Sequence, residues 1–165
     1  MARIIPPDFN APNQTGLHES ERQTLEYLAE ALPDSYTVFS NVMWARSHAH
    51  NTRFGEIDFA VVSPAGQLIV IEQKSGGMSV RDGHLYKRYG VTEKDAGQQL
   101  LRTISALKDV WQKQHQGESV AIDYLLFLPD YSLKQINGLQ LDASRIVHAA
   151  SAESLAQTIE TLGGD

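Results

Sequence analysis

Residues 55–76 read GEIDFAVVSPAGQLIVIEQKSG. Most of this run is two apolar strands around a tight turn, yet Asp58, Glu72 and Lys74 stand inside the strands. Strand side chains alternate between faces, so Leu68, Val70, Glu72 and Lys74 share one face of the second strand, and Glu56, Asp58, Ala60 and Val62 share one face of the first. The connection decides whether the two sets meet. Pro64 suits the first central position of a type I turn, and Gly66 suits the left-handed residue that closes a three-residue loop. That loop pairs Ser63 with Gln67. Asp58 then stands directly opposite Glu72, and Glu56 opposite Lys74; a slip of one residue would separate them.

Like charges directly opposite one another destabilise a sheet. Burying them unpaired costs several kcal/mol, comparable with the whole stability of a domain. Three arrangements relieve that cost. The carboxylates lie on a solvated face, or Lys74 and Glu56 neutralise the cluster, or a divalent cation sits among them. All-oxygen ligands suit Mg2+ or Mn2+. Leu68 and Val70 on the same strand face favour the cation, because they argue against a solvated face.

A third carboxylate points the same way. The segment before the strands predicts a helix over about 16–32, stopped by Pro33. On a wheel of about 100° per residue, Leu17, Glu21, Leu25, Leu28 and Leu32 fall within about 40° of one line. Glu21 thus sits in a leucine stripe, while Glu19, Glu26 and Glu30 point to the other side. A glutamate in that position either lies at the exposed end of the helix or reaches into the carboxylate site. A second amphipathic helix, over about 95–115, has Leu100, Ile104, Leu107 and Trp111 on its apolar face. Gln99 lies at the edge of that face, open either to solvent or to a site at the sheet's end, and Gln98 points away.

Around these elements, YTVFSNVMW (36–44) reads as a strand and ARSHAHNTRFG (45–55) as a polar loop. Asp82-Gly83 marks a small hairpin. VAIDYLLFLP (120–129) reads as a buried strand, RIVHA (145–149) as one more, and 151–162 as a last helix. A core order of helix, three strands, helix and strand predicts an α/β fold with a mixed central sheet flanked by helices. His48 and His50 stand two apart in the polar loop without a third ligand nearby, and read as solvated.

At 165 residues the chain is long enough for one well-buried core. It divides into an extended or disordered arm over 1–14, rich in Pro and Asn, and a single domain over 15–165. The absence of cysteine excludes disulfides, thiolate zinc sites and a cysteine nucleophile. Neither a signal peptide nor a membrane-spanning apolar run is evident, so the expectation is a cytoplasmic protein with no membrane partner. A net charge of −6 taken alone argues against a nucleic-acid partner. The charge is uneven, however. Residues 74–113 carry 8 basic and 4 acidic side chains, against 4 and 9 in residues 1–73 and 2 and 7 in residues 114–165.

The element order, with Asp on the second strand and Glu-x-Lys on the third, resembles the PD-(D/E)XK nuclease superfamily. More narrowly it is similar to the nuclease-related domain, NERD. The matching stretches are SERQTLEYLAEALPDSYTVFSNVMW, GEIDFAVVSPAGQLIVIEQKSG and DAGQQLLRTISALK, and the resemblance extends over residues 16–128. It implies a restriction-endonuclease-like core in αβββαβ order and metal-dependent phosphodiester hydrolysis of nucleic acid, DNA in the first place. Position by position, the family's metal-binding aspartate falls on Asp58 and its Glu-x-Lys on Glu72-Gln73-Lys74. The resemblance implies that Asp58, Glu72 and the carbonyl of Gln73 hold Mg2+ or Mn2+. Lys74 then orients water or stabilises charge on phosphorus, and Glu21 completes the metal shell or positions water.

The family's downstream glutamine falls on Gln99, although Asp95-Ala96 stands where the family often has Asn-Pro. Ile57 replaces the superfamily's proline. Gln73 stands where an apolar residue is common, and its side chain is expected to face away from the site. Lys87, Arg88, Lys94 and Arg102, from the basic third, are the candidates for backbone contact. Such domains often stand beside DNA helicases of superfamily I or other nucleic-acid modules. A helicase domain, in the same or another chain, is therefore an expected partner. The competing expectation is a catalytically silent nucleic-acid-binding or protein-interaction module on the same fold.

Overall fold

The computed structural model describes residues 1–7, 18–48, 51–116, 118 and 120–164, with the backbone alone for 44–48 and 51–54. The chain opens with strand β1 (Arg3–Ile5) and helix α1 (Glu19–Ala31). Strands β2 (Thr37–His48), β3 (Asn51–Val62) and β4 (Leu68–Gln73) follow. Three short strands come next, β5 (Met78–Arg81), β6 (His84–Tyr89) and β7 (Thr92–Asp95). Helix α2 (Ala96–Gln114), strands β8 (Ile122–Leu128) and β9 (Ile146–His148) and helix α3 (Leu155–Leu162) complete it.

Among the described residues there is a six-stranded mixed sheet in the order β1-β2-β3-β4-β8-β9 and a three-stranded sheet β5-β6-β7. The β2–β3 and β3–β4 pairs are antiparallel, whereas β1–β2, β4–β8 and β8–β9 are parallel. Alternation along β4 and β3 sorts the core into two layers. Ile69, Ile71, Phe59 and Val61 pack with Leu25 and Leu28 of α1 and with Leu155 and Ile159 of α3. Val70 and Ala60 pack on the other face, with Leu100 and Ile104 of α2 and with Met78 and Leu85 of the small sheet. No helix among the described residues is long and apolar enough to cross a membrane.

The turn after β3 forms as its residues dictate. Gly66 has φ +83°, its amide donates to Ser63 O at 2.9 Å, and the Ser63 amide donates to Gln67 O at 3.0 Å. The register follows: Val62 opposes Leu68, Ala60 opposes Val70 and Phe59 opposes Ile71. There the ladder stops. The next amide, that of Gln73, donates to Asp58 Oδ2 at 2.9 Å in place of a backbone carbonyl. On the other edge of β3 the ladder with β2 skips Asn41 and Asp58, and Asn41 has φ +52°. Beyond that left-handed residue the alternation breaks, and Ile57 joins the α2-side core instead of following Phe59 and Val61. Asn is among the few side chains that tolerate this conformation.

Several boundaries differ from the sequence reading. The stretch read as a polar loop over 45–55 is mostly strand, since β2 and β3 pair out to His48 and Asn51. Polar residues give no apolar alternation to reveal such a ladder. His50, with the side chain of His48, lies outside the described residues, as do Leu17 of the leucine stripe and residues 8–14 of the N-terminal arm. Residues 3–5 of that arm form β1 on the sheet edge. β7 was not anticipated, because Thr92–Asp95 is polar and mostly exposed.

The Asp82-Gly83 turn also carries a tertiary contact. Both residues have positive φ, 51° and 79°, and Gly83 O accepts from the Gln140 amide at 2.7 Å. A Cβ on Gly83 would meet Gly138 O at 2.4 Å. Gly83→Ala therefore combines left-handed strain of about 1–2 kcal/mol with a backbone clash. Denaturant unfolding is expected to show a loss of at least about 2 kcal/mol; a loss under about half a kcal/mol would mean that the small sheet is not held by this contact.

Candidate active site

Where β3 and β4 part, a cavity of about 550 Å³ opens between the first turns of α1 and α2. Asp58, Glu72 and Lys74 line it from the sheet, Glu21 from α1, Gln99 and Thr103 from α2, and Lys87 and Tyr89 from β6. Four parts of the fold thus converge on one hollow. The ladder stops before either expected pair, Asp58 with Glu72 or Glu56 with Lys74, although all four residues line the same cavity and Glu56 is exposed. Lys74 instead turns to its own strand: its ammonium lies 3.2 Å from Glu72 Oε1 and donates to Tyr89 Oη at 3.0 Å. Lys74 is only 8% exposed, so this charge depends on those partners.

Burial and crowding set the protonation of the acids. Burial raises the Glu72 pKa to about 7, with the Asp58 charge adding to it and Lys74 opposing it. Burial also raises Asp58, against the pull of the Gln73 amide and Lys74. Glu21 is raised by burial and then by Asp58. Burial works against the charge on Lys74, but Glu72 and the Tyr89 hydroxyl outweigh it and the pKa is raised. The cluster is therefore short of positive charge. It is a set of hard oxygen donors around the Lys74 ammonium, with the Lys87 ammonium on the same wall bound to Ser75 O, and such a donor set suits a divalent cation. No group of three or more His, Asp and Glu side chains is spaced to hold a metal among the described residues. Asp58 and Glu72 are the two carboxylates that could hold one, since Mg2+ commonly takes only one or two carboxylates and keeps its waters.

Glu21 combines both readings of its position in the stripe. It is half-buried and lines the cavity, and its Oε2 also accepts from the His18 amide at 3.4 Å, a long helix-capping contact. Glu19 and Glu26 point away and bind Arg22. Gln99 Oε1 is buried with no hydrogen-bond partner among the described residues. Such an orphan acceptor on a cavity wall calls for a ligand or water. Asp95, which stands where the family often has Asn, caps α2 by accepting from the Gln98 amide at 3.0 Å.

The four basic candidates separate. Lys87 lines the main cavity and donates to Ser75 O. Lys94 and Arg102 line a second cavity of about 540 Å³, which shares Gly55, Gln99 and Thr103 with the first. Arg88 lines neither, and its Nε donates to Gly90 O at 3.0 Å. Alternation along YKRY carries this signal, because it puts Lys87 and Tyr89 on one face and Arg88 on the other. Tyr89 itself escaped the sequence reading, as did the hydroxyls of Ser20, Thr24 and Ser75 that surround the Gln73 amide. The Gln73 side chain reaches α1, where it bonds Thr24 and Ser20, and Gln73 and Ser20 also line the cavity.

The model of the NERD family, the nuclease-related domain, matches residues 17–129, which is more than half of the chain. The chain belongs to that family. No match was found among curated proteins or among solved structures.

The raised carboxyls fix the direction of a pH dependence. Their native pKa values lie above the unfolded ones, so the native state keeps protons that the unfolded chain has released. The contribution of these carboxyls to stability without metal is therefore greatest below the ordinary carboxylate range. It falls as pH rises from about 4.5 to about 7, by up to roughly 3 kcal/mol for Glu72. Thermal unfolding in chelator is expected to show this fall in the wild type and a smaller one in Asp58→Asn. The variant should melt at the wild-type temperature or higher near neutral pH; a clear loss of its metal-free stability would make Asp58 a structural residue.

Proposed function

We propose that the chain is a nuclease that hydrolyses phosphodiester bonds of nucleic acid, DNA in the first place, on a restriction-endonuclease-like core. The observation that carries this reading is the convergence of Asp58, Glu72 and Lys74 on one cavity of a NERD-family chain. Asp58, Glu72, the carbonyl of Gln73 and Glu21 are the groups to hold Mg2+ or Mn2+. When bound, the ion supplies polarisation of the phosphodiester and a lowered pKa for a water. The protein's own groups do the rest. Lys74, kept charged between Glu72 and Tyr89, faces the negative charge that develops on phosphorus. Glu21 holds a water across the cavity from Asp58. Gln99 offers its unpartnered carbonyl oxygen to the same water or to the substrate.

The second cavity extends the path of the strand. Its two acids are already engaged: Glu93 by Arg81, and Asp95 by His84 at 2.6 Å and by the Gln98 amide. Lys94 and Arg102 are left to face a backbone phosphate, with Lys87 nearer the carboxylates. The natural setting we propose is a helicase-type or other DNA-processing assembly in the cytoplasm, in the same or another chain.

A cleavage panel on DNA and RNA with Mg2+, Mn2+ and chelator tests the reading. Metal-dependent cleavage of DNA is expected, abolished in Asp58→Asn. Binding without cleavage under every condition would favour a silent nucleic-acid-binding module. In the same assay Glu21→Gln is expected to slow cleavage at least about tenfold, or about 1.4 kcal/mol in barrier. Glu19→Gln is the control and should change nothing. Equal rates for both variants would remove Glu21 from the site.

Binding in chelator gives a separate measurement. Removing Lys94 and Arg102 together is expected to lower the slope of log affinity against log salt by about 2, and Arg88→Ala to leave it nearly unchanged. The opposite ranking would place the strand on the outer face of the small sheet.

A further inference from the structure

Gln73 interrupts an apolar face. Its neighbours along that face of β4, Ile69 and Ile71, are fully buried, and Gln73 itself is 6% exposed. Its amide is nevertheless well satisfied. Oε1 accepts from Thr24 Oγ1 at 2.7 Å, and Nε2 donates to Ser20 Oγ at 2.8 Å and to Ser75 Oγ at 3.3 Å. The hydroxyls of Ser20 and Ser75 lie 2.9 Å apart. Four side chains thus close a polar knot between the first turns of α1 and the end of β4. Alternation sends the Gln73 side chain to the strand face opposite to Glu72, while Ser20, Gln73 and Ser75 also border the cavity that Glu72 and Lys74 line.

Stability alone does not call for this knot. An apolar residue of similar volume packed against α1 serves a core at least as well as a buried polar network. What apolar contact lacks is direction. A helix resting on Leu and Ile surface alone is held by a non-directional force, whereas hydrogen bonds fix donor and acceptor within a few tenths of an ångström. Ser20 and Thr24 are one turn apart and bracket Glu21 in the chain. Gln73 lies between Glu72 and Lys74, and Ser75 follows them. The knot therefore joins the helical turn that bears Glu21 to the strand end that bears the paired site residues.

We propose that Gln73 is a positioning residue whose side chain, through Ser20, Thr24 and Ser75, holds the first turns of α1 in the register that sets Glu21 across the cavity from Asp58 and Glu72. The consequence for cleavage rests on the nuclease reading; the geometry does not.

Gln73→Leu keeps the backbone carbonyl and the volume and removes the knot. Thr24→Val removes one hydroxyl and keeps the helix-facing shape. Both variants are expected to melt at or above the wild-type temperature. Amide hydrogen exchange at Arg22, Gln23 and Thr24 should quicken at least about tenfold in Gln73→Leu relative to Leu28 and Ala29, and less in Thr24→Val. In cleavage, Gln73→Leu should lower kcat at least about tenfold with KM little changed, and adding Glu21→Gln should cost nothing more, since both remove one function.

Wild-type exchange in both variants would overturn the proposal. So would losses that multiply in the double variant, or a silent Glu21→Gln beside an impaired Gln73→Leu. A wild type that cleaves nothing sinks the nuclease reading instead, and exchange then decides the clamp by itself.

Discussion

The amide of Gln73 donates to a carboxylate where a regular sheet would offer a carbonyl, and much of the site depends on that exchange. While β3 and β4 share a ladder, their facing residues are apolar and need nothing beyond each other. At Asp58 the side chain takes over the acceptor role. Two acids then stand beside each other at the point where the sheet ceases to be regular. Burial raises both pKa values, the Asp58 charge adds to the rise at Glu72, and the Lys74 ammonium is drawn in and held with Tyr89. The strain of the pair and the opening of the cavity have one cause.

The two faces of β4 divide the labour. One carries Leu68, Val70, Glu72 and Lys74 and changes from core to charged cavity wall within two residues. The other carries Ile69, Ile71 and Gln73 and changes from core to a hydrogen-bonded tie with α1. Because the period of a strand is two, neither face can shift without the other. The SPAG turn fixes both at once. The small sheet adds a third wall, where β6 delivers Lys87 and Tyr89 to the cavity while its Leu85 is anchored in the α2-side core.

How much of this was legible follows from where the information lay. The β3–β4 register could be read because Pro64 and Gly66 have strong turn preferences and the flanking residues alternate. Glu21 could be read because it breaks a leucine stripe. The full β2–β3 hairpin could not, since polar strand residues carry no periodic signal. Nor could the break at Asn41, whose left-handed backbone is one of several conformations open to an asparagine. Tyr89 and the hydroxyls around Gln73 are contacts between distant parts of the chain. Ser20 and Ser75 are 55 residues apart, and no local pattern links them. The departure of Gln73 from an apolar residue was visible, but its meaning lay in α1.

The acidic balance of the chain, −6 overall, fits the proposed chemistry once charge is considered locally. A polyanion approaching Glu21, Glu56, Asp58 and Glu72 meets repulsion that Lys74 alone does not cancel, since that ammonium is already bound to Glu72. Lys94 and Arg102 lie one cavity away, with the neighbouring acids engaged elsewhere. On the proposed reading the basic surface holds the strand and the carboxylates repel it until a divalent ion neutralises them. The same crowding of buried carboxylates that lowers metal-free stability would then keep the site from holding a phosphodiester without its ion. Affinity would reside in the second cavity and reactivity in the first, joined through the shared wall of Gly55, Gln99 and Thr103.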